Sequence, residues 1–267
     1  MKKSGQIPIF TVAGTSFLVD VDKQVLRQTN DLSNEISFIN DMGDKGTYYR
    51  LFYDMDRKNI PRETYRMERF KEIEVPPLIE LDPEGMSVRY GVPVEQLKGK
   101  TDFEVIVDQE QLELRHKGVL PRIDIAGELF IVDLHLQELR HAANFYPVIS
   151  LKSFELSNDG WRYKAFYHPV LKQIVEIDPK LTGFPESVIR IEIPNEIGLD
   201  PVKTAQQYGI DERELLRRHP IQKALKAVVI PLSETHLPGL IQRNREQLQR
   251  EHKEITRQIR PKQRPHF

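Results

Sequence analysis

The chain has 267 residues, of which 30% are charged and 39% hydrophobic, and its formal net charge is -1. This length leaves room for two domains of ordinary size, and the composition is that of a globular protein with a sizeable core. The small net charge argues against a chain that binds polyanions over its whole surface. The absence of cysteine excludes disulfides, thiolate metal sites and cysteine nucleophiles.

An apolar stretch near the N-terminus, residues 7–19, follows Lys2 and Lys3 and superficially resembles a secretory signal. Polar residues and a glycine interrupt it, and no apolar run of the chain approaches the ~20 residues that a membrane helix needs. A very similar stretch recurs in the middle of the chain at residues 120–132. We therefore interpret residues 7–19 as the opening of a folded repeat, and we expect a cytoplasmic protein that does not contact a membrane.

The two stretches belong to a longer internal repeat. Identical pairs at a separation of 113 residues include Pro8 and Pro121, Gly14 and Gly127, Phe17 and Phe130, Asp20 and Asp133, and Arg27 and Arg140. Later pairs are separated by 114 and then 118 residues. Because the matches stay in order while the separation only grows, we interpret them as a tandem duplication with small loop insertions. The predicted domains are residues 7–107, residues 119–232, and a C-terminal helix with a basic tail over residues 233–267.

Each predicted repeat opens with two hairpins. Ala13-Gly14 and Ala126-Gly127 mark the first turn, because glycine accepts the positive φ that tight hairpins require. The return strand of the second hairpin is rich in aromatic residues in both copies. Four phenylalanines that recur in the repeat are expected in the core: Phe17, Phe52, Phe130 and Phe166.

A helical unit follows the hairpins. The predicted helix starts, each an N-cap aspartate followed by proline, are Asp82-Pro83 and Asp200-Pro201. Gly91 and Gly209 are predicted to end these helices. After a second helix, each copy is predicted to return to a strand, over Phe103–Val107 and Ala227–Ile230. The fold class is therefore α+β, a tandem duplication of an antiparallel β-rich domain with a β-α-α-β unit in each copy, plus a C-terminal basic helix.

The helical unit resembles two known kinds of domain. The first is the helix-turn-helix of DNA-binding proteins, whose spacing is similar at Ala205, Gly209, Ile210 and Leu215. This resemblance implies that Arg217 and Arg218 contact phosphate. The second is the lysin-motif carbohydrate-binding domain, which the stretch SVRYGVPVEQL resembles and which has the same β-α-α-β order. An ordinary helical corner packed on a sheet is the third interpretation.

Histidines and carboxylates come closest together at Asp133, His135 and His141. Asp133 and His135 are two residues apart on a predicted strand, so they face the same side, as two metal ligands would. Copy one has Asp22 and Gln28 in place of the two histidines, so any such site belongs to copy two alone. Solvated surface residues are the commoner arrangement, and we predict no metal, no cofactor and no catalytic residue.

The C-terminal tail differs from the body in charge. Residues 240–267 carry a net charge of +5, which leaves -6 for the rest of the chain. Ile241, Leu248 and Ile255 repeat every seven residues and predict a helix with a narrow apolar stripe. Six cations are predicted to contact nucleic acid or an acidic partner: Arg250, Lys253, Arg257, Arg260, Lys262 and Arg264. The alternative is a solvated helix that docks its stripe on the body.

The sequence contains none of the common catalytic or nucleotide-binding motifs, such as a P-loop, GxGxxG, GxSxG, HExxH or an EF-hand loop. We therefore expect a non-enzymatic binding or adaptor protein with an unidentified protein partner, and self-association stays open. One alternative is a nucleic-acid-associated accessory protein that uses the tail. A second alternative is an enzyme with a site in the second repeat only.

Overall fold

The computed structural model describes residues 7–62 and 70–259. Strands and helices are both present, and the fold is α+β. The chain divides into two compact units. Unit 1 comprises the described residues of Met1–Glu113 together with Ile210–Ile221, and unit 2 comprises Leu114–Gly209 and the described residues of Gln222–Phe267.

Unit 1 contains two antiparallel sheets. Its strands are β1 (Ile9–Val12), β2 (Thr15–Asp20), β3 (Val25–Gln28), β4 (Asp31–Ser37), β5 (Gly43–Asp44), β6 (Tyr49–Asp54) and β7 (Phe70–Val75). Its helices are α1 (Leu78–Leu81), α2 (Pro83–Tyr90), α3 (Asp102–Ile106) and α7 (Glu212–Arg218), and the division between the units falls within α4 (Gln109–His116). Strands β1 to β4 form a meander in sequence order, and β5, β6 and β7 form the second sheet.

Unit 2 contains two five-stranded sheets. Its strands are β8 (Arg122–Ile125), β9 (Glu128–Asp133), β10 (Glu138–His141), β11 (Val148–Ser150), β12 (Glu155–Leu156), β13 (Arg162–His168), β14 (Gln173–Ile174), β15 (Ile189–Pro194), β16 (Leu225–Lys226) and β17 (Val228–Ile230). Its helices are α5 (Glu196–Leu199), α6 (Pro201–Tyr208) and α8 (Leu237–Ile259). The first sheet has the order β11-β10-β9-β8-β16, with β16 parallel to β8, and the second has the order β12-β13-β15-β17, with β14 paired to β13. One apolar cluster takes residues from both sheets, including Phe130, Tyr167 and Ile191.

Several turns have the same backbone conformation at matched positions of the two units. The matched φ angles are 46° at Ala13 and 54° at Ala126, 84° at Gly14 and 92° at Gly127, 53° at Gln24 and 56° at Gln137, and 55° at Lys58 and 54° at Lys172. Two consecutive positive φ angles characterise the two-residue turn whose twist fits a hairpin. The first hairpin of each unit therefore turns at its Ala-Gly pair, as predicted.

The helix boundaries also agree with the prediction. The carboxylate of Asp82 accepts a hydrogen bond from the Gly85 amide at 2.9 Å, and that of Asp200 accepts one from the Lys203 amide at 3.1 Å. α2 and α6 each begin with proline and end at a glycine, Gly91 or Gly209, in the left-handed conformation. Local capping chemistry is enough to set these boundaries.

The predicted strand over Phe103–Val107 is wrong, because these residues lie in α3 and at its C-terminal end. Thr101 and Glu104 form a capping box: the hydroxyl of Thr101 accepts from the Glu104 amide, and the Glu104 carboxylate accepts from the Thr101 amide. This reciprocal pair stabilises a helix start and outweighs the strand preference of the apolar run. Copy one therefore lacks the final strand of the predicted β-α-α-β unit, whereas copy two has β17 there.

Two of the four predicted core phenylalanines are outside the core. Phe17 and Phe130 are fully buried, whereas Phe52 is 46% exposed and Phe166 is half-buried. Successive side chains of a strand point to opposite faces, so one face alone can be buried. On β6 and β13 the buried aromatic residues are the neighbours, Tyr53 and Tyr167.

Candidate functional site

Three ionisable side chains meet at one end of unit 2. Glu128, His141 and Lys172, here called the charged trio, come from the start of β9, the end of β10 and the turn that precedes β14. His141 Nε2 lies 2.9 Å from Glu128 Oε2 and 3.2 Å from Lys172 Nζ. Lys172 Nζ lies 3.0 Å from Glu128 Oε1, and His141 Nδ1 lies 2.8 Å from Asn144 Oδ1. The trio and Asn144 therefore connect two strands, a turn and a loop.

The strand register explains this meeting. In the β9–β10 ladder, His141 pairs with Phe130, and Glu128 lies two residues before Phe130 on the same face of β9. The imidazole meets the Phe130 ring edge-on, with the ring centroids 5.5 Å apart. Lys172 reaches the trio from a tight turn in which its amide bonds to the carbonyl of His168. His141 is 8% exposed, so this imidazole is largely removed from water.

The electrostatics of the trio are nearly balanced. The hydrogen bonds from His141 and Lys172 hold the pKa of the Glu128 carboxyl below its usual range. Burial, and secondarily the Glu128 charge, raises the pKa of Tyr167 to about 12. The Tyr167 hydroxyl is buried without a hydrogen-bond partner and stays neutral at physiological pH. Glu128 is thus the anion of this group, and the Lys172 ammonium pairs with it.

Exposed apolar side chains flank the trio. Phe145 and Tyr146 follow Asn144 in the loop between β10 and β11, and Val170 and Leu171 immediately precede Lys172. Their exposed fractions are 55%, 74%, 76% and 55% in that order. We call these four residues the apolar rim. Asn144 and Lys172 both contact His141, so the two segments begin at the same end of unit 2. Contiguous exposed apolar surface marks interaction sites, whereas single exposed apolar residues do not.

The matched end of unit 1 has different chemistry. Thr15 and Gln28 stand at the positions of Glu128 and His141, and only the lysine, Lys58, is kept. A neutral amide network closes this end: Asn34 Nδ2 donates to Gln28 Oε1 at 2.7 Å and to the carbonyl of Lys58 at 3.0 Å. The rim positions are polar apart from Leu32, since Ser33, Asp56 and Arg57 stand where unit 2 has Tyr146, Val170 and Leu171.

The predicted grouping of Asp133, His135 and His141 does not form. Asp133 ends β9 and bonds to Arg140 Nη2 at 2.5 Å, while His135 lies in the following turn rather than on the strand. His141 points instead to Glu128. Over the residues that the structure describes, no group of three or more histidines and carboxylates has an arrangement that could hold a metal ion.

Asp133 and His135 line a cleft of about 320 Å³ in unit 2, together with Arg115, Asp200 and Lys203. Burial raises the pKa of the Asp200 carboxyl, although the amide of Lys203 and the charge of Arg115 oppose this shift. That carboxylate caps α6, and Asp133 is held by Arg140. The Asp–Arg pair recurs in unit 1 as Asp20 and Arg27, 3.1 Å apart, so the pair is common to the two units.

The two arginines that would contact phosphate in the helix-turn-helix interpretation have partners within unit 1. Arg217 is 5% exposed; its Nη2 donates to the Phe38 carbonyl at 2.6 Å, and its guanidinium stacks on Tyr49. Arg218 pairs with Glu214 at 2.8 Å. Burial makes Arg217 unavailable to a nucleic acid.

The tail cations are only partly within the described residues. Arg250 and Lys253 are exposed on α8, and Arg257 lies in the same helix. Arg260, Lys262 and Arg264 lie outside the described residues. Of the predicted apolar stripe, Ile241 is buried, whereas Leu248 and Ile255 are more than half exposed. Only the first part of α8 therefore docks through the stripe.

Comparison of the chain with models of protein families, with curated proteins and with solved structures finds no match. Among the residues described, no helix has the length and apolar character to cross a bilayer. The function must therefore be argued from the chemistry of the chain itself. The strongest arrangement for that purpose is the charged trio with its apolar rim.

Sequence reasoning found His141 but missed Glu128, Lys172 and the rim. The repeat comparison weighted positions at which the two copies agree, and agreement marks the shared framework. The positions at which the two copies differ could have indicated the site, namely Glu128, where copy one has Thr15, and Val170, where it has Asp56. The sequence does not show that the turn before β9 and the turn before β14 meet in space.

Proposed function

We propose that the chain is a non-enzymatic, two-repeat binding protein that docks a partner protein on the tip of unit 2. The observation that carries this proposal is the apolar rim, whose members are 55–76% exposed around a charge-balanced centre. The matched tip of unit 1 is polar, so the shared fold does not require the rim. A solvent-exposed rim without a structural task is best accounted for by a binding role.

The duplication underlying this proposal is supported by matched details within each unit. The hairpin turns, the helix caps and the Asp–Arg pairs recur at the separations found in the sequence. A repeated framework with one chemically distinct tip is the pattern expected when one copy gains a binding role and the other keeps a structural one.

The chemistry of the tip favours an uncharged, apolar segment as the partner's contact. Residues 142–147 contain no charged side chain. The exposed charges of Glu128 and Lys172 compensate each other within the trio, so the surface offers no net charge to attract phosphate. Aromatic residues are enriched at the centres of protein interfaces, where they become desolvated.

Site-specific photo-crosslinking tests this proposal. A benzophenone amino acid is placed at Tyr146, and the matched control carries it at Leu32, which is 55% exposed at the tip of unit 1. We expect an adduct in cells from position 146 only, its yield reduced severalfold by Val170→Ser, with the crosslink mapping to an apolar stretch of one protein. Equal adducts at both positions, or none at 146, would refute docking at this tip.

A second candidate function, nucleic-acid association through α8, is favoured by one observation. Every residue from Arg245 to Ile255 is exposed, and the Arg250 side chain is 81% exposed. Counterion release makes such contacts salt-dependent, with a log–log slope of about -0.9 for each duplex phosphate neutralised.

Substitution suits this test better than truncation, because Ile241 is buried and Asn244 Nδ2 bonds to the carbonyl of Leu181 at 2.8 Å. We expect Arg250→Gln with Lys253→Gln to weaken binding of a labelled duplex at low salt and to flatten the slope by about two phosphates. The matched control, Lys23→Gln with Lys226→Gln, removes two exposed cations elsewhere. Equal losses in the two variants would mean that binding follows net charge and not α8.

A further inference from the structure

Two neighbours of His141 make incompatible demands on one ring nitrogen. Nε2 lies 2.9 Å from Glu128 Oε2, which can only accept a hydrogen bond when the carboxylate is ionised. The same Nε2 lies 3.2 Å from Lys172 Nζ, which can only donate. A single nitrogen cannot donate to one and accept from the other at the same time, so the proton on His141 decides between them.

The other ring nitrogen fixes the two alternatives. Nδ1 lies 2.8 Å from the Asn144 side-chain oxygen, so Nδ1–H donates there in both states. In the neutral imidazole, Nε2 then carries a lone pair and accepts from Lys172. In the imidazolium, Nε2–H donates to Glu128 and faces the Lys172 ammonium with a like charge, so Lys172 gives up this nitrogen and keeps its ion pair with Glu128 Oε1.

Few charged groups and little solvent surround His141, so a proton on its ring acts mainly on Glu128 and Lys172. The ionisable groups around His141 are Glu128 from β9, Lys172 from the turn before β14, and, beside Glu128, Tyr167 from β13. The Phe130 ring covers one side of the imidazole. Tyr167 is neutral at physiological pH, and His141 is 8% exposed, so solvent provides little compensation. An imidazole changes its charge between pH 5 and 8, the range in which a cell can use it.

Each segment of the apolar rim is next in sequence to a residue that contacts His141. Asn144 directly precedes Phe145 and Tyr146, and Lys172 directly follows Val170 and Leu171. A change in the partner of Lys172 therefore acts on one rim segment relative to the other. Gln28, at the matched position of unit 1, accepts a hydrogen bond from the side-chain amide of Asn34 and carries no titratable proton.

We propose that His141 is a proton-operated switch that selects between a Lys172-bound and a Glu128-bound form of the unit 2 tip, and so regulates how the apolar rim is presented to its partner. The regulatory consequence rests on the proposed docking function. The switch itself is a property of the free protein and is tested without a partner.

Histidine and amide NMR between pH 5 and 8 provides that test on the full chain. We expect the amides of Phe145, Val170 and Leu171 to shift with the same midpoint as the ring signals of His141. Because a cation disfavours the imidazolium and an anion favours it, Lys172→Met should raise the midpoint and Glu128→Gln should lower it, each by about one pH unit. In His141→Gln, which installs the residue of unit 1, these amide shifts should disappear while the other histidines titrate as before.

Three results would overturn the switch: no titration of His141 in this range, rim amides that do not follow it, or shifts in the same direction in the two charge variants. The two charge variants keep the test valid if His141→Gln does not fold. Crosslinking from position 146 at pH 5.5 and pH 8 then separates the two proposals. A shared NMR midpoint without any crosslink leaves the switch standing and removes the docking function. A pH-independent crosslink leaves the docking function standing and removes its regulation by His141.

Discussion

The tips of the two units have the same backbone and opposite chemistry. Lys58 and Lys172 have φ angles of 55° and 54°, yet Lys58 lies in a neutral amide network and Lys172 in a charged trio. Around them unit 1 exposes mostly polar residues and unit 2 exposes an apolar rim. The two units thus agree in turn geometry and differ in tip surface.

The interiors of the units differ in the surroundings of one aligned tyrosine. Unit 1 buries a carboxylate, because Asp102 is 3% exposed and accepts hydrogen bonds from Tyr49, Leu78 and Ile79. The aligned tyrosine of unit 2, Tyr163, lies instead beside a half-buried glutamate. Unit 2 buries carboxylates as well, but Asp200 caps α6 and Asp133 pairs with Arg140. This contrast predicts where each unit is sensitive to substitution.

The largest expected effects are in the core positions that the units share. We expect Phe130→Ala in unit 2 and Phe17→Ala in unit 1 each to lower the free energy of unfolding by roughly 3–5 kcal/mol, because both rings are fully buried. The matched controls are Phe166→Ala and Phe52→Ala, whose rings are partly or substantially exposed, and their expected loss is about 1 kcal/mol. Chemical denaturation measures all four.

A loss below about 1 kcal/mol for Phe130→Ala would contradict the core assignment. A loss for Phe166→Ala as large as that for Phe130→Ala would mean that its contacts with Arg190 and His236 act as a second core. Either outcome would mean that the matched phenylalanines of the two units do not have the same structural roles.

Local chemistry made part of the fold predictable from sequence. The Asp-Pro starts, the Gly91 and Gly209 ends and the Ala-Gly hairpins need only neighbouring residues, and all of them are present. Two predictions were wrong, one because of a local capping box and one because of which strand face is buried. The run at Phe103 has strand-forming residues but is preceded by the Thr101–Glu104 capping box, and the choice between Phe52 and Tyr53 depends on which face of β6 meets the core.

The candidate site was less predictable, for a different physical reason. Glu128 and Lys172 are 44 positions apart in sequence, and only the packing of two hairpin turns brings their charges to 3.0 Å. Pattern and propensity describe neighbours along a strand or helix, not turns that meet from different sheets. His141 was noticed as a histidine absent from copy one, but its partner Glu128 was not.

A smaller expected effect tests the contrast between the interiors. Asp102→Ala leaves the donors of Tyr49, Leu78 and Ile79 unsatisfied, and we expect a loss of about 3 kcal/mol at pH 7. The control in unit 2 is Glu196→Ala, which removes the acceptor shared by Tyr208, Gln137 and Tyr163. Glu196 is only half-buried, so water can replace these bonds, and the expected loss is about 1 kcal/mol.

The pH dependence of this difference follows from the direction of the pKa shift. Burial raises the pKa of the Asp102 carboxyl, and the hydrogen bonds from Ile79, Leu78 and Tyr49 offset this only in part. A carboxyl whose folded pKa is raised contributes most below its unfolded value, and the contribution is lost as the pH rises through the folded value. The stability difference between wild type and Asp102→Ala should therefore be larger at pH 4 than at pH 7 in urea titrations. A difference that grows from pH 4 to pH 7 would show that the three hydrogen bonds outweigh desolvation, and that the interior of unit 1 is organised around an ionised carboxylate.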